Sequence, residues 1–105
     1  SLHTLIFDEV DSGVGGATAD AVGERLARLA ETMQVFVVTH SPQVAARGRD
    51  HLRVSKSDDT KNTTTMVAPL SGPERQEEIA RMLSGATVTE EARAAANRLI
   101  DGVAL

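Results

Sequence analysis

Two adjacent carboxylates follow a short apolar run near the start of the chain. Asp8 and Glu9 come directly after Leu5-Ile6-Phe7. A carboxylate fixed at the end of a rigid strand can hold Mg²⁺, usually through water, and a second carboxylate beside it can activate an attacking water molecule. Asp8 therefore suits the metal role and Glu9 the role of catalytic base. For an isolated pair, a strand that simply ends in a polar turn explains the pattern equally well.

A histidine follows the next apolar run in the same way. His40 lies in Thr39-His40-Ser41-Pro42, directly after Val35-Phe36-Val37-Val38. If the two runs form neighbouring parallel strands, His40 projects from the same sheet edge as Asp8 and Glu9, where it can hydrogen-bond a phosphate. A lone histidine is more often a surface or core residue, and only this shared edge favours a functional role.

A glycine-rich segment lies between these two features. Asp11-Ser12-Gly13-Val14-Gly15-Gly16, hereafter the glycine loop (residues 11–16), follows the two carboxylates. Glycines allow the backbone to approach a phosphate or a partner closely. An ordinary strand-to-helix turn explains one or two glycines, but less easily three in four residues.

The predicted elements around these residues form a βαβ unit. Residues 2–7 and 34–39 are predicted to be buried strands. A helix begins near Ala17, and Ser41-Pro42 provides the cap and first-turn proline of another short helix. Consecutive strands joined by a helix are parallel by default. The sequence therefore predicts an α/β fold with a parallel βαβ core.

The second half of the chain predicts a β-hairpin and two helices. Residues 51–57 and 63–70 are rich in β-branched side chains and flank a polar loop at 58–62. One helix begins at Pro73 and ends at Gly85, and the last helix starts around Thr89. Their predicted inward residues are Ile79, Met82 and Leu83 in the first, and Ala92, Ala95, Ala96 and Leu99 in the second. Residues 1–105 are interpreted as a single domain.

Composition excludes several classes of function. The chain of 105 residues has no cysteine, so disulfides and thiolate metal sites are excluded, and no apolar run approaches the roughly 20 residues of a membrane span. The net charge of −4 argues against a main DNA-binding surface. Phe7 and Phe36 are the only aromatic residues, too few for a base-stacking platform.

Together the three features resemble the Walker B motif, D-loop and H-loop of ABC-type ATPases, in that order. The resemblance to the RecN branch of the SMC-like group is closer still. In that branch Asp-Glu-Val-Asp leads into a glycine-rich D-loop and a Thr-Ala helix start, as at Asp8 to Asp20. Thr-His-Ser-Pro-Gln-Val-Ala-Ala at residues 39–46 is also typical. So is Glu-Ile-Ala-Arg-Met-Leu-Ser-Gly at 78–85 before Thr-Glu-Glu-Ala at 89–92. The resemblance covers nearly the whole chain.

The resemblance implies a fold, a ligand and a role for each matching residue. The chain would be part of a P-loop NTPase head of the ABC or SMC-like type, with ATP and Mg²⁺ as cofactors. Asp8 would help to hold Mg²⁺ through water, Glu9 would be the catalytic base, and His40 would sense the γ-phosphate. Asp11 would orient the loop. The remaining residues implied at the nucleotide site, which would also contact an opposing head, are Ser12, Gly13, Gly15 and Gly16.

The same resemblance implies partners that lie outside these residues. No G-x-x-x-x-G-K-S/T phosphate loop is present, so the chain would need the N-terminal half of its own head, a second head in a homodimer, and DNA reached through the full-length protein. We expect a role in DNA double-strand break repair and recombination, in the bacterial cytoplasm at the nucleoid and not in a membrane. The 105 residues alone are predicted not to hydrolyse ATP.

Three alternatives remain open on the sequence. Asp8, Glu9 and Asp11 could surround Mg²⁺ in a nuclease or primase-like domain. The chain could instead be a non-enzymatic dimerisation module. It could also come from another SMC-like ATPase, although its Asp-Glu-Val-Asp and Ser-Pro-Gln segments favour the RecN branch.

Overall fold

The computed structural model describes residues 3–58 and 61–102, and within these ranges the chain forms four strands and four helices. In chain order they are β1 (Thr4–Asp8), α1 (Gly16–Leu29), β2 (Gln34–Val38), α2 (Pro42–Ala45), β3 (Leu52–Asp58), β4 (Thr63–Pro69), α3 (Gly72–Ser84) and α4 (Glu90–Ile100). The predicted α/β fold, with a βαβ unit, a hairpin and C-terminal helices, is confirmed. Leu2 in the first predicted strand, and Asp59 and Thr60 in the predicted loop, lie outside the described residues.

The two strands that carry the candidate site pair in parallel. Their register runs from Thr4 opposite Gln34 to Asp8 opposite Val38. The Glu9 amide donates to the Val38 carbonyl at 3.0 Å, which extends the ladder one residue beyond β1. Parallel pairing brings the carboxyl ends of both strands to one edge, as the βαβ pattern predicts.

These strands are not buried on both faces, and that part of the prediction is wrong. Side chains alternate between faces along a strand, and register partners share a face. Ile6 is 72 % exposed, and its partner Phe36 is 43 % exposed. Phe7, Val35 and Val37, on the opposite face, are half-buried. Continuous apolar runs are typical of strands covered on both sides, but the described residues cover only one.

The hydrophobic core lies where α3 and α4 pack against the end of α2. Ile79 is fully buried there, which agrees with its predicted inward position, and Met82 and Leu83 of the same helix pack against the buried cluster. Most of the core residues are alanines, which let helices approach closely. The buried members of this cluster are Ala46, Ile79, Ala80, Ala92, Ala96 and Leu99.

Local sequence signals start and stop α3 and α4 close to the predicted positions. The Ser71 and Glu74 side chains form a reciprocal capping box at the start of α3, and Gly85 ends the helix with φ at 81°. The Thr89 hydroxyl accepts from the Ala92 amide and caps α4.

The β3–β4 hairpin is antiparallel, as predicted, and largely solvent-exposed. Val54 lies opposite Val67, and both are exposed. Across the described ranges, none of the helices has the length and apolar character needed to cross a membrane.

Candidate functional site

Glu9 and His40 meet at the carboxyl edge of the parallel pair. Glu9 Oε1 lies 3.6 Å from His40 Nε2, and the two side chains are 56 % and 89 % exposed respectively. The prediction that His40 shares an edge with the carboxylates is confirmed. Both side chains are more than half exposed, so a third molecule can reach them.

The backbone at Glu9 adopts an unusual conformation. Its φ is 54°, and it is the only non-glycine residue with positive φ in the described parts of the chain. Left-handed backbone is unfavourable for a side chain with a Cβ, and such positions concentrate at functional sites. The turn after β1 thus carries strain at the residue proposed to act as base.

The glycine loop folds as two successive turns. The Ser12 amide donates to the Glu9 carbonyl at 3.1 Å, and the Val14 amide donates to the Asp11 carbonyl at 3.3 Å. Gly13 has φ at 81°, which favours glycine at that position. Gly15 then caps α1 through its backbone alone, without a side-chain hydrogen bond.

Asp11 turns inward and joins the glycine loop to the segment around His40. It is only 7 % exposed, and its Oδ2 accepts a hydrogen bond of 2.5 Å from the Thr39 hydroxyl. That hydroxyl also accepts from the Ser41 amide at 2.9 Å. The Ser41 hydroxyl in turn caps α2 by accepting from the Val44 amide, as Ser41-Pro42 predicted.

Helix α1, which follows the glycine loop, packs closely against α2, which follows His40. A Cβ built on Gly23 of α1 would lie 2.9 Å from Arg47 Cγ and 3.3 Å from the backbone of Gln43. The Arg47 guanidinium also donates to Asp20 Oδ1, at 2.9 Å from Nη2 and 3.3 Å from Nε. Gly23 therefore permits a close crossing that a larger residue would block.

An open cleft of about 330 Å³ lies between the two segments. One side is formed by Glu9, Asp11, Ser12, Gly13 and Val14, and the other by His40, Ser41, Pro42 and Gln43. The structure thus brings four predicted site residues together, namely Glu9, His40, Ser12 and Gly13.

Three further predicted site residues lie beside this cleft and do not line it. Asp8 is exposed, on the same strand face as Ile6. Gly15 and Gly16 lie at the start of α1 and are also exposed. Thr39 and Gly23 were not predicted as site residues from the sequence. The only local signal for Thr39 is its place before His40, and nothing in the sequence near Gly23 indicates its neighbour Arg47.

Comparison with known proteins finds relatives that the chain matches over part of their length. No family model matches the chain. It is 54 % identical over 100 residues to the DNA repair protein RecN of Xylella fastidiosa, covering 95 % of this chain and 18 % of that protein. It is 52 % identical over 99 residues to the RecN protein of Deinococcus radiodurans, covering 94 % and 17 %. The chain therefore spans less than a fifth of the length of these relatives.

A solved structure shows the same fold. It comes from work on ATP-driven dimerization and DNA stimulated activation of SMC ATPases, and it aligns with a TM-score of 0.66 at 18 % identity. The alignment covers 80 % of this chain and 50 % of that chain. The chain is thus homologous to a C-terminal segment of the RecN proteins and has the fold of an SMC ATPase head.

Proposed function

We propose that the chain is the C-terminal lobe of an ATP-hydrolysing head in a protein of DNA double-strand break repair and recombination. The observation that carries this proposal is the 3.6 Å approach of Glu9 and His40 at the edge of a parallel strand pair, beside a glycine loop. Homology to RecN supports it, because those relatives are DNA repair proteins.

The residues present suit ATP and Mg²⁺. Carboxylate oxygens are the ligands that Mg²⁺ prefers, and Asp8 offers them at an exposed strand end. The chemistry that Mg²⁺ would supply at this site is neutralisation of the negative charge that develops during phosphoryl transfer. Asp8 would hold the ion through water, Glu9 would accept the proton of the attacking water, and His40 would donate a hydrogen bond to a γ-phosphate oxygen.

The glycine loop suits a contact with a second head. Ser12, Gly13, Gly15 and Gly16 are all exposed, so their backbone is accessible to a partner. The SMC ATPase structure comes from work on ATP-driven dimerization and DNA-stimulated activation. We propose that the full-length protein likewise dimerises in response to ATP and is activated by DNA. A place at the bacterial nucleoid would follow from that role.

The cradle for the phosphates must come from residues outside this chain. No Walker-type phosphate loop occurs in the sequence, and its only lysines, Lys56 and Lys61, lie in or beside the hairpin. Without backbone amides and a lysine around the β- and γ-phosphates, the substrate would not be positioned for attack. We therefore propose that the N-terminal half of the head completes the site and that the isolated chain is catalytically silent.

The arrangement of Asp11 argues against the acidic-cluster nuclease. That alternative requires Asp8, Glu9 and Asp11 to surround one ion, but the Asp11 carboxylate is buried against Thr39. Within residues 3–58 and 61–102, no three carboxylate, histidine or cysteine side chains form a group suited to a metal ion.

Phosphate release from the full-length protein and from the 105-residue chain tests the proposal. We expect Mg²⁺-dependent release from the full-length protein, raised by DNA, and none from the isolated chain. A full-length protein without Mg²⁺-dependent release would overturn the proposed function. Release from the isolated chain that disappears in Glu9→Gln would show that no outside phosphate cradle is needed.

A further inference from the structure

We infer that Asp11 is a positioning residue that ties the glycine loop to His40, so that a contact made by the loop changes the placement of the imidazole. The inference rests on the proposed function for its consequence in turnover. The link itself rests on hydrogen bonds within the described chain.

The first step concerns what holds His40 in place. Its side chain is 89 % exposed, so packing does not fix the ring, and its position depends on the backbone. The residues on both sides of it are held by one hydroxyl group. Thr39 Oγ1 donates to Asp11 Oδ2 and accepts from the Ser41 amide, at 2.5 and 2.9 Å.

The second step concerns the burial of Asp11. An aspartate in a turn is usually explained by local capping with an exposed carboxylate. Asp11 is instead 7 % exposed, and its hydrogen-bond partner Thr39 lies on another strand end. Burying a carboxylate is costly unless it is hydrogen-bonded. Removal of the Thr39 hydroxyl should therefore destabilise both the glycine loop and the segment around His40.

The third step concerns the helices behind the two segments. The glycine loop leads into α1, and His40 is followed by α2. These helices are joined by the Asp20–Arg47 pair and by the close crossing at Gly23. The two segments are therefore connected at their front by Asp11 and Thr39 and at their back by the helices. Such a doubly connected unit transmits a displacement of one segment to the other.

Steady-state ATP hydrolysis by the full-length protein tests the inference. We expect Thr39→Val to lower kcat about tenfold or more with little change in KM, because misplacement of a reacting group slows the chemical step. Thr39→Ser keeps the hydroxyl and should restore turnover close to wild type. Thr4→Val is the matched control, since Thr4 forms a similar cross-strand hydrogen bond with Gln34 at the opposite end of the strands, and it should leave turnover unchanged.

Hydrogen exchange of the full-length protein without nucleotide tests the link independently of catalysis. Peptides covering residues 39–46 should exchange faster in Thr39→Val and in Asp11→Ala than in wild type or Thr4→Val. The double variant Asp11→Ala with Thr39→Val should show little further loss of kcat beyond the single variants, because both remove the same hydrogen bond.

Three outcomes would overturn the inference. They are wild-type kcat in Thr39→Val, equal impairment in Thr39→Ser and Thr39→Val, and unchanged exchange in residues 39–46. A wild-type protein without any turnover would instead refute the proposed function, and the exchange rates would still decide whether Asp11 and Thr39 hold the segment around His40.

Discussion

Glu9 Oε1 and His40 Nε2 lie 3.6 Å apart at the carboxyl ends of two parallel strands. Both groups are more than half exposed, so neither is retained for packing, and the surrounding turns determine their relative position. The left-handed backbone of Glu9, the inward-facing Asp11 and the close crossing at Gly23 lie in or next to the segments that carry these two groups. Each can be tested separately.

Substitutions at Glu9 should separate catalysis from stability. In the full-length protein, Glu9→Gln should reduce ATP hydrolysis by on the order of 10² or more while ATP binding stays nearly intact. Glu9→Gly should lose hydrolysis to the same extent. It should be more stable than Glu9→Gln by up to about 1 kcal/mol in the free energy of unfolding, because glycine relieves the left-handed strain. Phosphate release and urea unfolding measure the two effects. Near-normal turnover in Glu9→Gln would remove Glu9 from the role of base.

Gly23→Ala should be destabilising although alanine favours helices. The added methyl would lie 2.9 Å from Arg47 Cγ and 3.3 Å from backbone atoms of Gln43 and Val44, so α1 and α2 would have to separate. We expect a loss of about 1–3 kcal/mol in the free energy of unfolding. Gly72→Ala is the matched control, because Gly72 is also helical and has open space around its Cβ position; there we expect no loss. Equal stability of both variants would show that the crossing tolerates a methyl group.

Glu78 should make stability depend on acid pH. Its carboxylate is 8 % exposed, and the hydrogen bond from Arg81 holds the pKa of Glu78 below its ordinary value of 4.5. A lowered folded-state pKa stabilises the fold above the unfolded-state pKa, and this contribution is lost as the pH falls through the folded-state pKa. The free energy of unfolding should therefore decrease as the pH falls below 4.5.

Glu78→Gln should remove that pH-dependent part of the stability. At neutral pH we expect it to lower the free energy of unfolding by about 1–3 kcal/mol, since it removes the charged acceptor that Arg81 bonds at a buried position. Glu77→Gln is the control. Glu77 also hydrogen-bonds an arginine, Arg93, and its pKa is likewise lowered, but its side chain is 50 % exposed. Its effect should be smaller and should weaken with salt. Urea unfolding of both variants at several pH values measures these effects. If Glu78→Gln loses as much stability below pH 4.5 as the wild type does, Glu78 is not the source of the pH dependence.

Arg75 should anchor the C-terminal end of α2. Its Nη2 donates to the carbonyls of Ala45, Ala46 and Gly48, at 3.0, 3.1 and 2.5 Å. Arg75→Met leaves these carbonyls without that donor, and we expect a loss of about 1–3 kcal/mol in unfolding free energy. Arg25→Met, at an exposed position of α1, should change it by less than about 0.5 kcal/mol. Thermal unfolding of both variants measures the difference, and similar values would show that Arg75 contributes no anchoring.

The sequence by itself determined the order of the elements and the edge at which the candidate site lies. Those signals are local: Ser41-Pro42 caps a helix, Gly85 ends one, and a strand–helix–strand pattern makes the strands parallel. The position of the site then follows, because the carboxyl ends of parallel strands lie at the same edge of the sheet. Glu9 and His40 were predictable as neighbours for that reason.

Only the tertiary structure decided the burial of the strands and the hydrogen-bond partner of Asp11. Ile6 and Phe36 look like core residues in the sequence, but burial depends on what packs over a face, and the described residues leave that face open. From the sequence, Asp11 was expected to orient the glycine loop, but its partner was not predicted. Its hydrogen bond to Thr39 depends on the register of β1 against β2 and on the crossing of α1 with α2. Contacts between residues far apart in the chain are set by such packing, which local sequence patterns do not encode.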